Sequence, residues 1–321
     1  MSTTTVTPVP AEKSKLVKRA KEVITSRYRW GKVIYQILIY VLLVNFAFVF
    51  LMPFLYMIST SLKSSMDLVD PYVNWIPVRG IAWENFIIAV RALEYWRSLG
   101  NSLLVTLFCT IGHLLSCSFI AYGFARIKFP GKNFLFMLVM LTLIVPAQVI
   151  IIPLYIINSR LGLNTLAGGY MSLIIPSFLG MGLRGGLFIF IYRQLFMGLP
   201  YELEEAARID GCNTFRTYWE IIMPIAKSAT LVSGILSIVW RWNDYYEPSF
   251  YITSLNRTLL PMMLPKMKTV IEVAGEKEMV ELFNIAVRMA GTFLAILPIL
   301  IMYFFMQKRF MEGIERTGLV G

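Results

Sequence analysis

Few residues of this chain have side chains suited to chemistry, and they are scattered. There is one histidine, His113, and there are three cysteines, Cys109, Cys117 and Cys212, in 321 residues. A zinc site takes about four His, Cys or carboxylate ligands. His113 lies among Ile111, Gly112, Leu114 and Leu115 and has no such company. With one His there is no His-Glu-x-x-His motif, and no nucleophile–base cluster can be assembled. Gly31-Lys32-Val33 and Gly131-Lys132-Asn133 both lack the Gly-x-x-x-x-Gly-Lys-Ser/Thr of a phosphate-binding loop. Gly180-Met-Gly-Leu-Arg-Gly185 has dinucleotide-motif spacing, but it lies inside an apolar stretch with no strand before it. Close helix packing or a flexible break is the better reading of Gly180, Gly182, Gly185 and Gly186. No catalytic residue, metal site or cofactor is expected on this chain.

Two other features carry more information. The first is the polar stretch Leu199-Pro-Tyr-Glu-Leu-Glu-Glu-Ala-Ala-Arg-Ile-Asp-Gly-Cys-Asn-Thr-Phe-Arg-Thr-Tyr-Trp-Glu-Ile-Ile-Met-Pro224. Pro200 suits a first helical turn, and Glu202, Glu204 and Glu205 favour a helix N-terminus. Leu203, Ala206, Ala207 and Ile209 can form a small apolar face. Gly211 permits a sharp reversal. Asn213 or Thr214 can cap a second helix carrying Phe215, Tyr218 and Trp219. Such a helix pair suits a groove on another protein, and equally an amphipathic loop on the membrane surface. The second feature is Arg184, a charge within an apolar stretch. It either meets a solute along a path or pairs internally or snorkels outward.

The elements that position these residues follow from composition. The chain is 57% hydrophobic and 15% charged, with a mean hydropathy of +0.65. Soluble domains are about 45–50% apolar and about 25% charged. A disordered chain and a disulfide scaffold are excluded by the same numbers. The net charge of +11 sets topology in a membrane protein and needs no nucleic-acid partner. About 20 apolar residues cross a bilayer as a helix, and six stretches are read as spans: Val33 to Tyr56, Leu103 to Tyr122, Phe134 to Ile157, Ser172 to Tyr192, Ala229 to Trp242, which is short unless its flanks extend the helix, and Asn284 to Met306. The expected fold is all-α, a polytopic membrane protein with six transmembrane helices. Pro53, Pro146, Pro153, Pro176 and Pro298 punctuate the spans and are read as kinks.

Lys13 to Lys32 holds eight Lys or Arg residues and no cleavable signal pattern follows, so it reads as a basic segment on the inner membrane surface. With the N-terminus inside, the inner segments hold 18 Lys or Arg and the outer segments 9. Both termini are therefore expected in the cytoplasm. Trp240, Trp242, Tyr245 and Tyr246 cluster near the outer end of the fifth stretch, as an aromatic belt or as a sugar-stacking surface. Asn243 and Asp244 could contact solute, a binding protein or neighbouring loops. His113, Gln36, Asn45 and Gln148 are expected to make helix–helix hydrogen bonds. Trp75 to Trp96 and Leu260 to Glu281 are long enough for small amphipathic helices outside the spans.

Glu205-Ala206-Ala207, three residues, Gly211, nine residues, Ile221, one residue and Met223-Pro224 together resemble the EAA loop of ABC importer permeases. Met223 stands where that family prefers Leu. Trp242-Asn243-Asp244 with Pro248 resembles a sugar-permease segment, and Gln307-Lys308-Arg309-Phe310 with Gly313 and Gly318 resembles the family's tail. The resemblance covers nearly the whole chain and points to the binding-protein-dependent carbohydrate permeases, the maltose-transporter-like group.

It implies a type I ABC importer permease fold: a basic cytoplasmic segment 1–32, a permease domain 33–306 with its coupling loop at 199–224, and a cytoplasmic tail 307–321. It implies a subunit of the bacterial cytoplasmic (inner) membrane that forms half of a path for an oligosaccharide or glycoside. The implied partners are a second permease in a heterodimer, two ATPase subunits that hold ATP and Mg, and an extracytoplasmic solute-binding protein. The ATPase-coupling role would fall on Glu205, Ala206, Ala207, Asp210 and Gly211. Arg184, Trp242, Asn243, Asp244 and Tyr245 are the substrate-path candidates. The alternative, an ion-coupled secondary transporter or channel, would favour paired intramembrane acids or an internal repeat, and neither is visible.

Overall fold

The computed structural model describes residues 11–272 and 277–318, with side chains for 30, 32–267 and 285–308. Residues 1–10 of the expected cytoplasmic segment, the side chains of its basic part before Trp30 and those of the tail beyond Lys308 lie outside the described residues. Numbering only the longer helices, the chain runs α1 (Ala11–Ser61), α2 (Glu84–Ala92), α3 (Tyr95–Arg126), α4 (Lys132–Ile144), α5 (Ala147–Arg160), α6 (Met171–Phe178), α7 (Gly185–Met197), α8 (Glu202–Ile209), α9 (Thr214–Ile225), α10 (Lys227–Asn243), α11 (Leu260–Glu272) and α12 (Lys277–Gly318). No strand occurs among the described residues.

The chain divides into two units, Met1–Ser59 and Thr60–Gly321. The first is most of α1, a single helix that continues without a break from its basic part into its apolar part and carries Pro53 inside it. Asn45 donates to Val41 O of its own helix at 2.8 Å. That is a local bond, where a helix–helix bond was expected.

The apolar stretches are less regular than six continuous helices. Among the described residues three helical segments are long and apolar enough to cross a membrane: Lys32–Ser61 of α1, Tyr95–Arg126 and Ile285–Lys308. The stretch Phe134 to Ile157 is two helices, α4 and α5, bent by 110°. The bend falls at Val145 and Pro146, both in extended conformation. A proline disfavours helix at the residue before it and removes a backbone donor, so this proline ends one helix and starts the next. Pro153, Pro176 and Pro298 remain inside their helices. The stretch Ser172 to Tyr192 is also broken, into α6 and α7, with a non-helical turn through Gly180 (φ +74°) and Arg184 (φ +57°). α9 and α10 meet at 79°. Counting each bent pair as one span gives five.

α3 is the central element of this unit and packs against α6, α7 and α10. Its apolar face at one end, with Cys117, Ala121, Tyr122 and Ala125, is buried against Phe188, Tyr192 and Phe196 of α7 and Tyr218 and Ile222 of α9. At the other end Val105 and Cys109 pack with Leu173 and Ile174 of α6 and with Met262 of α11. A third cluster joins α2, α11 and α12 through Ala89, Leu93, Met267, Val287 and Ala290. The two segments expected as small helices outside the spans thus include α2 and α11, both buried on one side.

Between α1 and α2 a polar staple orders the chain. Asn85 donates to Ser61 O and Lys63 O, each at 2.9 Å. Lys63 Nζ donates to Asn74 O at 2.7 Å. Arg79 bridges Asp67 at 2.9 Å and Asp70 at 2.7 Å. The Arg79 hydrogen bond holds the Asp70 carboxyl below the usual carboxylate range.

Candidate functional site

The polar loop is the helix pair its sequence promised. Three carboxylates, Glu202, Glu204 and Glu205, occupy the first turn of α8 and complement its dipole. α8 closes on Gly211, whose φ of +82° a side chain would oppose, and Cys212 N donates back to Ala207 O at 2.9 Å. Asn213 caps α9, its Oδ1 accepting from Arg216 N at 2.8 Å. Arg216 and Glu220, one turn apart, pair at 2.9 Å on the surface.

α8 has two distinct sides. Glu204 and Ala207 are buried, whereas Glu205, Ala206, Ile209, Asp210 and the following Gly211 are exposed. The five coupling candidates therefore divide. Four of them form an open surface, and Ala207 is part of the root on which α8 sits. Ile209 joins the open surface and is 86% exposed. Grouping Leu203, Ala206, Ala207 and Ile209 into one apolar face missed this. At 100° per residue, 204 and 207 lie within 60° of each other on one side, and 209 lies 140–160° round the helix from them.

The root of the loop is a buried ion pair. Arg126, the last residue of α3, has Nε 3.1 Å from Glu204 Oε1, and the two side chains are 1% and 6% exposed. Arg126 Nη2 also donates to Leu199 O at 2.6 Å, and its guanidinium lies 4.3 Å from the centre of the Tyr201 ring. The second arm of the loop returns to α3 as well. Tyr218 Oη lies 2.8 Å from Ser118 Oγ, and its ring packs at 5.3 Å on Tyr122 and at 5.4 Å on Phe119. Sequence reasoning counted Arg126 only as a topology charge. Its partner stands 78 positions later, and nothing local marks it.

The substrate-path candidates do not form one cluster. Arg184 is exposed at the α6–α7 break, its guanidinium 4.8 Å from the centre of the Trp240 ring on α10. Phe188 completes this edge, 5.8 Å from Trp240. Trp242 is buried and donates through Nε1 to Ala295 O of α12 at 3.1 Å. Asp244 accepts from Arg241 at 2.8 Å, and Arg241 reaches Glu247 at 3.0 Å, so the two carboxylates flank one buried cation. Trp242 and Asp244 are thus engaged inside the fold. Asn243 and Tyr245 are exposed, with Asn243 also bonded to Val239 O at 2.9 Å. His113 Nδ1 and Ser237 Oγ lie 2.9 Å apart, which links α3 to α10 as expected for a helix–helix hydrogen bond. Among the described residues no group of His, Cys, Asp and Glu could hold a metal ion.

Residues 115–316 match the family described as the binding-protein-dependent transport system inner membrane component. The chain belongs to this family. It is an integral membrane component of an ABC importer, a transport subunit and not an enzyme, and its systems depend on a solute-binding protein and an ATPase. The matched region contains the polar loop, the α6–α7 break and the Arg241 cluster. The permease is 30% identical to the arabinooligosaccharides transport system permease protein AraQ of Halalkalibacterium halodurans, over 86% of this chain and 93% of that one. It is 29% identical to the probable starch degradation products transport system permease protein AmyC of Thermoanaerobacterium thermosulfurigenes, over 82% and 89%. Its fold is similar to that of a bacterial ABC transporter involved in the import of the acidic polysaccharide alginate, with a TM-score of 0.71 at 24% identity, over 86% of this chain and 96% of that one.

Proposed function

We propose that this permease takes up an oligosaccharide or glycoside as one half of a heterodimeric path, with the exposed side of α8 docked on an ATPase subunit. The observation that carries the docking role is the open surface of Glu205, Ala206, Ile209, Asp210 and Gly211 raised on a buried root. Small residues beside a large exposed aliphatic side chain let another protein approach closely, and the carboxylates suit basic groups on it. The carbohydrate class rests on the relatives, whose names specify arabinooligosaccharides and starch degradation products.

On this reading α8 and α9 face the cytoplasm together with both termini, and the α6–α7 break supplies the sixth pass. ATP and Mg belong to the ATPase subunits. Arg184 is the residue of the path: it is a non-glycine residue in left-handed conformation at a helix break, exposed and stacked beside Trp240. Backbone strain of this kind gathers at functional positions. Its donors can meet solute hydroxyls or a carboxylate. The carboxylates at the end of α10 are engaged by Arg241, which leaves no free acid pair there for ion coupling.

The test is uptake by proteoliposomes that hold this permease with its candidate second permease, ATPase and binding protein. A panel of radiolabelled arabino- and malto-oligosaccharides should show ATP-dependent accumulation of at least one member. Accumulation driven by an ion gradient without ATP would refute the proposal.

A further inference from the structure

α3 ends inside the polar loop, and both arms of the loop are fastened to it. Arg126 holds the first arm at three points, the Glu204 carboxylate, the Leu199 carbonyl and the Tyr201 ring. Ser118, two turns away on the same helix, meets Tyr218 of the second arm. Farther along, α3 is tied to the rest of the unit by polar contacts. His113 meets Ser237 of α10, Ser237 donates to Thr110, and Leu260 N of α11 donates to Ser102 Oγ. One unbroken helix therefore carries bonds to the loop at one end and bonds to α10 and α11 along its length.

We infer that Arg126 is a positioning residue that makes α3 the strut through which movement of the docked loop reaches the membrane-spanning helices. This rests on the docking role proposed for α8. A buried ion pair is weak evidence of stability, because a well-packed apolar pair of the same volume often serves as well or better. It does something that an apolar contact does not. Apolar surfaces resist being pressed together but slide and part readily. Opposite charges attract across the contact, and with the Arg126–Leu199 hydrogen bond they draw α3 after the loop when it is pulled as well as when it is pushed. A contiguous chain of packed and hydrogen-bonded contacts is one means by which distant sites are coupled. α8 needs it in particular, since it spans only Glu202–Ile209 and puts few residues on its buried side.

The experiment uses the whole complex. In a Cys212→Ser background, Trp96→Cys at the far end of α3 (Trp96 is 75% exposed) receives an environment-sensitive fluorophore. The response to ATP with orthovanadate is read together with co-purification of the ATPase. The inference predicts a response in this background. It predicts at least a fivefold loss of that response in Arg126→Met with the ATPase still bound, and recovery in the exchanged pair Arg126→Glu with Glu204→Arg. An undiminished response in Arg126→Met overturns the inference and leaves the docking role standing. So does a complex that binds the ATPase but gives no response at Trp96→Cys. Failure of the parent chain with Cys212→Ser and Trp96→Cys to bind the ATPase overturns both. Should Arg126→Met fail to assemble, Glu204→Gln decides by the same readout, because it keeps the volume and removes only the charge.

Discussion

Replacing two glycines of α3 by alanine isolates the packing that holds this helix in place. Gly112 lies where α3 crosses α6, and a methyl group there would sit 2.8 Å from the Phe178 ring and 2.9 Å from the backbone of Phe178 and Ser177. Backbone cannot rotate away as a side-chain tip can, so α3 and α6 must separate. Gly123 lies three turns farther along the same helix, and a methyl group there meets nothing within 4 Å. Both changes gain the same helix propensity, about 1 kcal/mol. Their difference is therefore the overpacking cost alone, about 1–3 kcal/mol, or about a 5- to 150-fold change in the folding equilibrium. Gly123→Ala should be neutral or slightly stabilising, and Gly112→Ala clearly less stable. Unfolding of the purified permease in mixed micelles of increasing dodecyl sulfate content, followed by circular dichroism, measures both midpoints. Equal midpoints would show that α3 and α6 do not approach this closely.

Other outcomes follow from the same geometry. Arg241→Met leaves Asp244 and Glu247 without their cation in a buried site. A cost of about 3–5 kcal/mol is expected for a broken buried pair, read as a large fall in thermal midpoint or as failure to accumulate in the membrane. Arg184→Gln should lower solute uptake severalfold while co-purification with the partner subunits is unchanged, and unaltered uptake would remove Arg184 from the path. The Asp70 carboxyl has its pKa lowered by Arg79. The Asp70–Arg79 pair should therefore be at full strength above the ordinary carboxylate pKa and weaken as pH falls through the lowered one. Limited proteolysis of segment 62–83 at descending pH should show cleavage appearing only in acid, and Arg79→Gln should abolish that dependence.

The helical class, the loop and its punctuation were legible because they depend on local rules. Gly211 and Asn213 do what a helix stop and a helix cap do in any chain, and the apolar stretches are long enough to announce membrane helices. The bend at Val145-Pro146 and the break from Gly180 to Arg184 were only half legible. Proline and clustered glycines marked the places, but the sequence does not say whether a helix kinks or ends there. Tertiary pairings were not legible. Glu204 and Glu205 are adjacent and chemically identical, yet one is buried on Arg126 and the other is open. That choice depends on how α8 is rotated against α3, which no short window of sequence contains. Trp242 and Asp244 looked like solute contacts for the same reason, since their partners Ala295 and Arg241 are set by the packing of α10 on α12 and by the turn after Asn243.

The most direct test of the account is whether the open side of α8 holds the ATPase. Glu205→Lys reverses a charge on that side and leaves the Arg126–Glu204 root in place. The wild-type permease should co-purify with the ATPase and the second permease, and Glu205→Lys should keep the second permease but lose the ATPase. An ATPase that stays bound and drives uptake equally well with Glu205→Lys would contradict the docking role.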